Sequence, residues 1–389
     1  MKSFFLTIKK YIRNPLNELT MFNRYDIVLV LAVSVLIFVG IIESLSITPV
    51  RMADISLQLF FKHMVSIFLG LICFIFTAFV LDYKIYKEEK INYMMIFIIV
   101  IMLIAVIAVG KTAKGATRWI DLGIVNIQPS EFAKIVFAIT AAKFLSKKQP
   151  PDESFFITKF LPVTFCFGLF AALIVLQKDL GTVVFLGIIY VVLLIISEAP
   201  LKFITIPATL LAAAAIPLVC LYQYRMNRIL DYVASLSDWT KSSYNVKSAI
   251  IALGSGGPFG KGFGKSEMKL LHLPEAHTDF VFPIIGEEHG FIGVMIIIFL
   301  FIAILLRASR ISRLCDDDFG KNLAFIIGVM FSFQAIINIG MSIGVLPAKG
   351  MPLPFISYGG SSMLYSLTTI GILFNISRKN KYGQYFNNH

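Results

Sequence analysis

Apolar runs of bilayer-spanning length, separated by short charged or Gly/Pro-bearing stretches, recur along nearly the whole chain. A helix rises about 1.5 Å per residue, so crossing about 30 Å of hydrocarbon takes roughly 17 to 25 apolar residues. Backbone groups in lipid must find partners within their own segment, so runs of this kind are read as helices. They predict helices near 26–45, 59–80, 92–109, 130–146, 158–176, 180–197, 201–222, 279–306, 322–343 and 356–376. The expected fold class is all-α, a polytopic integral membrane protein with about ten transmembrane helices. Composition agrees: of 389 residues 57% are hydrophobic and 15% charged, with a mean hydropathy of +0.81, more apolar than a soluble domain.

Lys and Arg near a span resist translocation and mark the cytoplasmic side. Basic residues crowd the N-terminal tail, the stretches around Lys84–Lys90, Lys147–Lys148 and Arg307–Lys321, and the C-terminal tail from Arg378. Ten spans reconcile these with both termini cytoplasmic, leaving a long extracytoplasmic loop, about 223–278, between helices 7 and 8. The domain reading is a basic tail over 1–25, one membrane domain over 26–376 and a short tail over 377–389. The first residues contain only a short apolar run and no small-residue cleavage site, which reads as a retained tail, not a signal peptide. The net charge of +12 does not imply nucleic-acid binding, because the cations sit in short loops between apolar runs. Cys73, Cys166 and Cys220 lie in apolar runs and Cys315 in a charged loop, so no disulfide framework is expected.

Several outer stretches carry residues that chemistry would use. HLPEAHTDFVFPIIGEEHGFIG, from His272 to Gly293, puts Glu275 and Asp279 at a helix mouth and Glu287 and Glu288 inside it. Carboxylates at membrane depth are costly and so are functional candidates. On a regular helix Glu287 lies about 80° around from Asp279 and about 12 Å deeper, so the two would border one cavity with Glu288 opposite. Equally, Asp279 reads as a helix N-cap, and Glu287 and Glu288 as members of a buried network with a cation such as Lys134. His272 and His277 beside these acids match no zinc signature.

GSGGPFGKGFGKSEMKLLHLPE, from Gly254 to Glu275, superficially resembles a phosphate-binding loop, but Phe259 stands where the motif requires glycine. Its amides with Lys261, Lys265 and Lys269 suit a diphosphate, or the stretch is a surface turn with solvated lysines. GKTAKGATRWIDLGIVNIQPSEFAK sets Trp119 beside Arg118 at a membrane interface ahead of a helix start at Pro129-Ser130-Glu131. QKDLGT puts Asp179 in an outer turn. INIGMSIGVLPAKGMPLPFISYGGSS reads as a broken Gly/Pro-rich re-entry that requires a protein-lined cavity.

Taken in order, RWIDLG with QPSEFAK, QKDLGT, GSGGPFGKGFGKS, LPEAHTDFVF with GEE, and the Ile337–Ser362 stretch resemble the SEDS family of shape, elongation, division and sporulation proteins over about residues 26–378. LPEAHTDF with Ala276, KSEMKLLH and the basic tail are more similar to the division-type, FtsW-like branch than to the elongation-type, RodA-like one. Lys178 stands where the family usually has proline, and Pro283 and His289 also depart from its pattern.

The resemblance implies a peptidoglycan glycosyltransferase that polymerises lipid II at the outer face of the cytoplasmic membrane, at the division septum. Its implied partners are a class B penicillin-binding transpeptidase, other division or elongation proteins and membrane lipid, with no nucleic acid. Asp279 is implied as the general base. Substrate binding falls to Arg118, Trp119, Glu131, Lys134 and Asp179, to Lys261, Lys265, Lys269, Glu275 and His277, and to Glu287, Glu288, Lys349, Ser357 and Ser361. No cofactor is required outright; a divalent cation, Mg2+ or Mn2+, stays open. The alternatives are a RodA-like shape polymerase, a lipid II flippase using carboxylates deep in the membrane, and a non-catalytic division scaffold.

Overall fold

The protein is described from a computed structural model, covering Tyr11 and residues 26–47, 53–113, 116–121, 123, 126–147, 154–220, 223–271, 273 and 275–379. The two expected tails otherwise lie outside the described residues, as does His272.

Each expected apolar run is helical. In chain order these are α1 (Ile27–Ile47), α2 (Ala53–Ile75, continued by a π-helical turn to Val80), α3 (Glu89–Val109) and α4 (Pro129–Leu145). Then come α5 (Leu161–Leu176, preceded by a π-helical turn from Phe156), α6 (Leu180–Ile196) and α7 (Leu201–Cys220). The long segment that follows is not irregular, for it holds α8 (Gln223–Ser237) and α9 (Tyr244–Ser255). The chain closes with α10 (Val281–Leu314), α11 (Asp318–Ser342) and α12 (Gly360–Lys379). Among the described residues six helices are long and apolar enough to cross a membrane, α1, α2, α3, α5, α10 and α11, and shorter apolar helices lie at Leu180–Ile196 and Leu201–Ala214. One outer stretch departs from all-α: β1 (Lys111–Ala113), β2 (Ala116–Asp121) and β3 (Asn126–Ile127) form an antiparallel sheet, pairing Lys111 with Trp119 and Ile120 with Ile127.

Local chemistry sets the helix ends. Pro129 opens α4, where its missing N–H costs nothing. Asp179 caps α6 by accepting from Thr182 N, and Asp317 caps α11 through Gly320 N. Helix α10 begins only at Val281, with Phe280 at its N-cap. Asp279 is therefore outside the helix and is not its N-cap.

Burial sorts the helices into shells. Every residue of α4 but Phe132 is buried, and α11 and α12 are buried over most of their length. Around them α1, α2, α3 and α5 turn large apolar side chains outward, including Phe38, Phe68, Phe97 and Phe165, all more than 60% exposed. In a membrane that ring faces lipid. Helices α2 and α12 pack almost backbone to backbone, since a Cβ on Gly371 would lie 2.9 Å from Phe74 O. At the end of the bundle holding the chain's basic loops, Asn375 donates to Ala78 O and Leu81 O, and Arg307 pairs with Asp26 at 2.9 Å. The sheet, the α5–α6 turn, α8, α9 and the 343–359 segment gather at the opposite end.

Candidate active site

Two polar assemblies occupy that opposite end. The first is built on α4. Its first turn carries Glu131, and one turn on Lys134 pairs with it at 2.8 Å, both essentially buried. Lys134 Nζ also donates to Gln334 Oε1 on α11 and lies 4.4 Å from the Tyr365 ring centroid. The spare donor of Gln334 reaches Pro352 O, fastening the 343–359 segment to the core. Lys134 thus serves Glu131, not Glu287 or Glu288.

Asp179 stands at the edge of the same assembly. It accepts from Thr182 Oγ1 at 2.8 Å and, at the limit of hydrogen bonding, from Gln128 Nε2 and Ser130 Oγ. Arg118 approaches it to 3.9 Å while donating to Lys178 O, a carbonyl that Arg225 also binds. Lys178 holds φ of 61°, a conformation closed to the proline usual in the resembled motif. Lys349 Nζ donates to Gly181 O. Burial pushes the Lys349 pKa down to about 8; Lys134 and Arg118 act in the same direction, opposed by Asp179 and Glu131. Ser361 bridges Gln128 N and Asn126 O, joining the sheet to α12. Trp119 is half-buried on β2.

Asp279 sits beside this assembly, half-buried in the turn before α10. Its carboxylate rests against Gly350, where an added Cβ would be 2.8 Å from Oδ2, so the segment bearing Lys349 lies next to the acid. Asn338 on α11 fixes both strands of this contact by donating to Asp279 O and Met351 O. Glu275 accepts from Thr278 Oγ1 at 3.0 Å. Half-buried His277 accepts through its carbonyl from Tyr358 N, and Ser357 Oγ accepts from Leu353 N.

The second assembly is a strap formed by residues 256–269 over the first turns of α10. Glu287 accepts from Lys261 at 2.8 Å, from Ser266 Oγ at 2.5 Å and from the amides of Glu267 and Met268. Glu288 accepts from Lys269 at 2.5 Å, from Ser46 on α1 and from Gly264 N. The two carboxylates were expected to face apart, with Glu287 turned toward Asp279. They share the strap instead, because it curls round the helix and offers donors on both faces. Lys261, Lys269 and several strap amides are thereby engaged with Glu287 and Glu288, and Lys265 is the exposed lysine of the strap. The glycines allow this approach: Gly260 and Gly290 have φ of 81° and 69°, and a Cβ on Gly260 would fall 2.2 Å from Glu288 O.

Gln334 and Asn338, which position this end of the molecule, were missed in the sequence. Their signal was present as two amides inside an apolar run, FSFQAIINIG. Among the described residues Asp279 belongs to no group of three metal-ligating side chains; the one such group is Glu43, Glu288 and His289.

The fold and site define a polytopic helical membrane protein with an acid and a half-buried lysine at one mouth of its bundle. The chain belongs to the FtsW/RodA/SpoVE family of cell cycle proteins, whose model matches residues 23–382. It is 34% identical over 357 residues to the probable peptidoglycan glycosyltransferase FtsW of Geobacter sp. (strain M18), covering 91% of this chain and 97% of that one. It is 40% identical over 279 residues to the protein of that name from Tolumonas auensis, covering 71% and 72%. Among solved structures, Thermus thermophilus rod shape determining protein RodA superposes with a TM-score of 0.68 at 25% identity, covering 92% of this chain and 97% of that one. A chain from a structure on the coordination of polymerization and crosslinking by a peptidoglycan synthase complex shares the fold, with a TM-score of 0.73 at 24% identity, covering 91% and 98%.

Proposed function

We propose that this chain is a division-type peptidoglycan glycosyltransferase that polymerises lipid II at the outer face of the cytoplasmic membrane, with Asp279 as its general base. The observation that carries the reading is the setting of Asp279: half-exposed at the mouth of α10, with the Lys349–Gly350 segment against its carboxylate. The family membership and the FtsW names of its relatives support the reaction class.

In this reaction an acceptor sugar hydroxyl attacks the anomeric carbon of a lipid-linked donor. A C–O bond forms to the acceptor, the C–O bond to the lipid diphosphate breaks, and the hydroxyl proton passes to the Asp279 carboxylate. Diphosphate leaves readily once its charge is offset, so the second need is a cation. Lys349 and Arg118 lie on the Asp179 side of the mouth and Lys265 is exposed on the strap, and we assign the diphosphate to them. Trp119, Glu131, Lys134, Asp179, Ser357 and Ser361 shape the surrounding wall. Ten spans with both termini cytoplasmic put this mouth outside. The partner in this reading is a class B transpeptidase at the septum.

A flippase would draw on carboxylates free within the membrane. Of the acids singled out in the sequence, Glu131, Glu287 and Glu288 are each ion-paired. Glu43 on α1 is the buried carboxylate, without a hydrogen bond among the described residues, that a flippase could use. The setting of Asp279, not the lack of such an acid, is what favours chemistry at the mouth. The test is reconstitution of the parent and of Asp279→Asn with lipid II and a transpeptidase partner, scoring polymer and leaflet transfer separately. Transfer without polymer in the parent overturns the assignment.

A further inference from the structure

Behind the strap, Glu43 on α1 faces Glu288 and His289 on α10. One ligand atom from each lies within 4.8 Å of the other two. Glu43 is 1% exposed, and neither of its oxygens accepts a hydrogen bond among the described residues. His289 Nδ1 likewise makes none, although it is 3.4 Å from Glu43 Oε1. An ionised carboxylate so placed is costly unless a cation accompanies it. Lys269 is bound to Glu288 and Ser46 and makes no hydrogen bond to Glu43. The site therefore leaves Glu43 two ways to be satisfied, as the neutral acid or as an ionised carboxylate held by a bound cation.

The geometry points to a divalent-cation site of the zinc class formed by Glu43, His289 and Glu288, a reading that stands apart from the glycosyltransferase proposal. Ligand atoms about 2.05 Å from a tetrahedral metal stand about 3.3 Å apart, which is close to the Glu43–His289 separation as it stands. The Glu288 carboxylate would close up by as much as about 1.5 Å, and of its roughly four lone-pair positions the metal would take the one now used by the long 3.4 Å contact from Ser266 N, keeping Lys269, Ser46 and Gly264 N. Two carboxylates and one imidazole make a borderline-hard set that suits Zn2+, Co2+ or Mn2+. The side chain of His289 is 39% exposed, which leaves room for a fourth ligand. The ion would pin α1 to α10 beneath the strap that Glu288 anchors, so its role is structural. Its two α10 ligands, Glu288 and His289, follow Asp279 by nine and ten residues, on the strap side of α10.

The test uses the tag-free full-length chain in detergent, stripped with chelator, reloaded with Zn2+ or Co2+ and dialysed. The expected result is one ion per chain, a tetrahedral Co2+ visible spectrum and a raised melting temperature with Zn2+. His289→Leu and Glu43→Gln each lose the spectrum and bind at least tenfold more weakly, while His277→Gln retains both signals. Failure of the parent to retain an ion would leave Glu43 and His289 as a protonated pair and overturn the proposal. So would equal binding by His289→Leu, or loss of the ion in His277→Gln instead.

Discussion

Replacing Lys269 with methionine is expected to open the glycine-rich strap. The side chains of Lys269 and Glu288 are 1% and 0% exposed and 2.5 Å apart. Removing one partner of a buried ion pair costs about 3–5 kcal/mol, because the other charge is left buried and uncompensated. Glu288 would keep Ser46 and Gly264 N, which places the cost near about 3 kcal/mol. If that cost falls on local opening of the strap, the open population rises by about two orders of magnitude. Limited trypsinolysis reads this at Lys265, which is exposed on the strap, with products mapped by mass spectrometry. Cleavage there should quicken about a hundredfold in Lys269→Met. Lys269→Met/Glu288→Gln, which also removes the stranded charge, should recover much of the protection, with a coupling of about 2 kcal/mol. Unchanged cleavage in the single variant, or additivity in the double, would refute the view that Glu288 anchors the strap through this pair.

Lys349 gives a pH test. With an ordinary lysine value of 10.5 unfolded and about 8 folded, the unfolded chain binds more protons between those limits, so stability contributed by this group rises with pH from about 8 to 10.5. Polymerisation that needs the ammonium moves oppositely, falling as pH passes about 8, and Lys349→Arg should carry that fall to higher pH; an identical midpoint in pH–rate profiles of both proteins contradicts the role. Gly290→Ala places a Cβ 2.3 Å from Gly260 N at φ of 69°, and should cost about 3 kcal/mol by thermal melting in detergent. Gly168→Ala, with nothing within 4 Å of the new Cβ, should change the melting temperature little.

The helices over the apolar runs were legible in the sequence because bilayer thickness and hydropathy set their length, whereas α8 and α9 fell in what read as a loop, and the Gly/Pro-broken stretch after α11 delays the last helix to Gly360 from the expected start at 356. The sheet around Trp119 was not, since strands of two to six residues in a polar loop carry too little alternation to see. The candidate site divides in the same way. Asp279, Asp179, Glu131 and Lys349 stood out as ionisable residues in outer stretches of a greasy chain. Which cation met which acid did not, for Lys134 was matched with Glu287 and Glu288 when its partner is three residues away, at Glu131. A helix-wheel angle counted from Asp279 also misled, because α10 starts at Val281 and the strap bends round it. Glu43 and His289 are 246 residues apart, and only the packing of α1 on α10 brings them together.

The central claim is that a growing glycan reaches the carboxylate at the mouth of α10 and gives up a proton there. Rates of lipid II polymerisation by parent and Asp279→Asn, matched for folding by melting temperature and for partner binding by co-purification, test it most directly. The account predicts that the amide variant stays folded, keeps its partner and makes polymer at least a hundredfold more slowly, the scale of general-base catalysis. Polymer at the parental rate from a folded, partner-bound Asp279→Asn would contradict it.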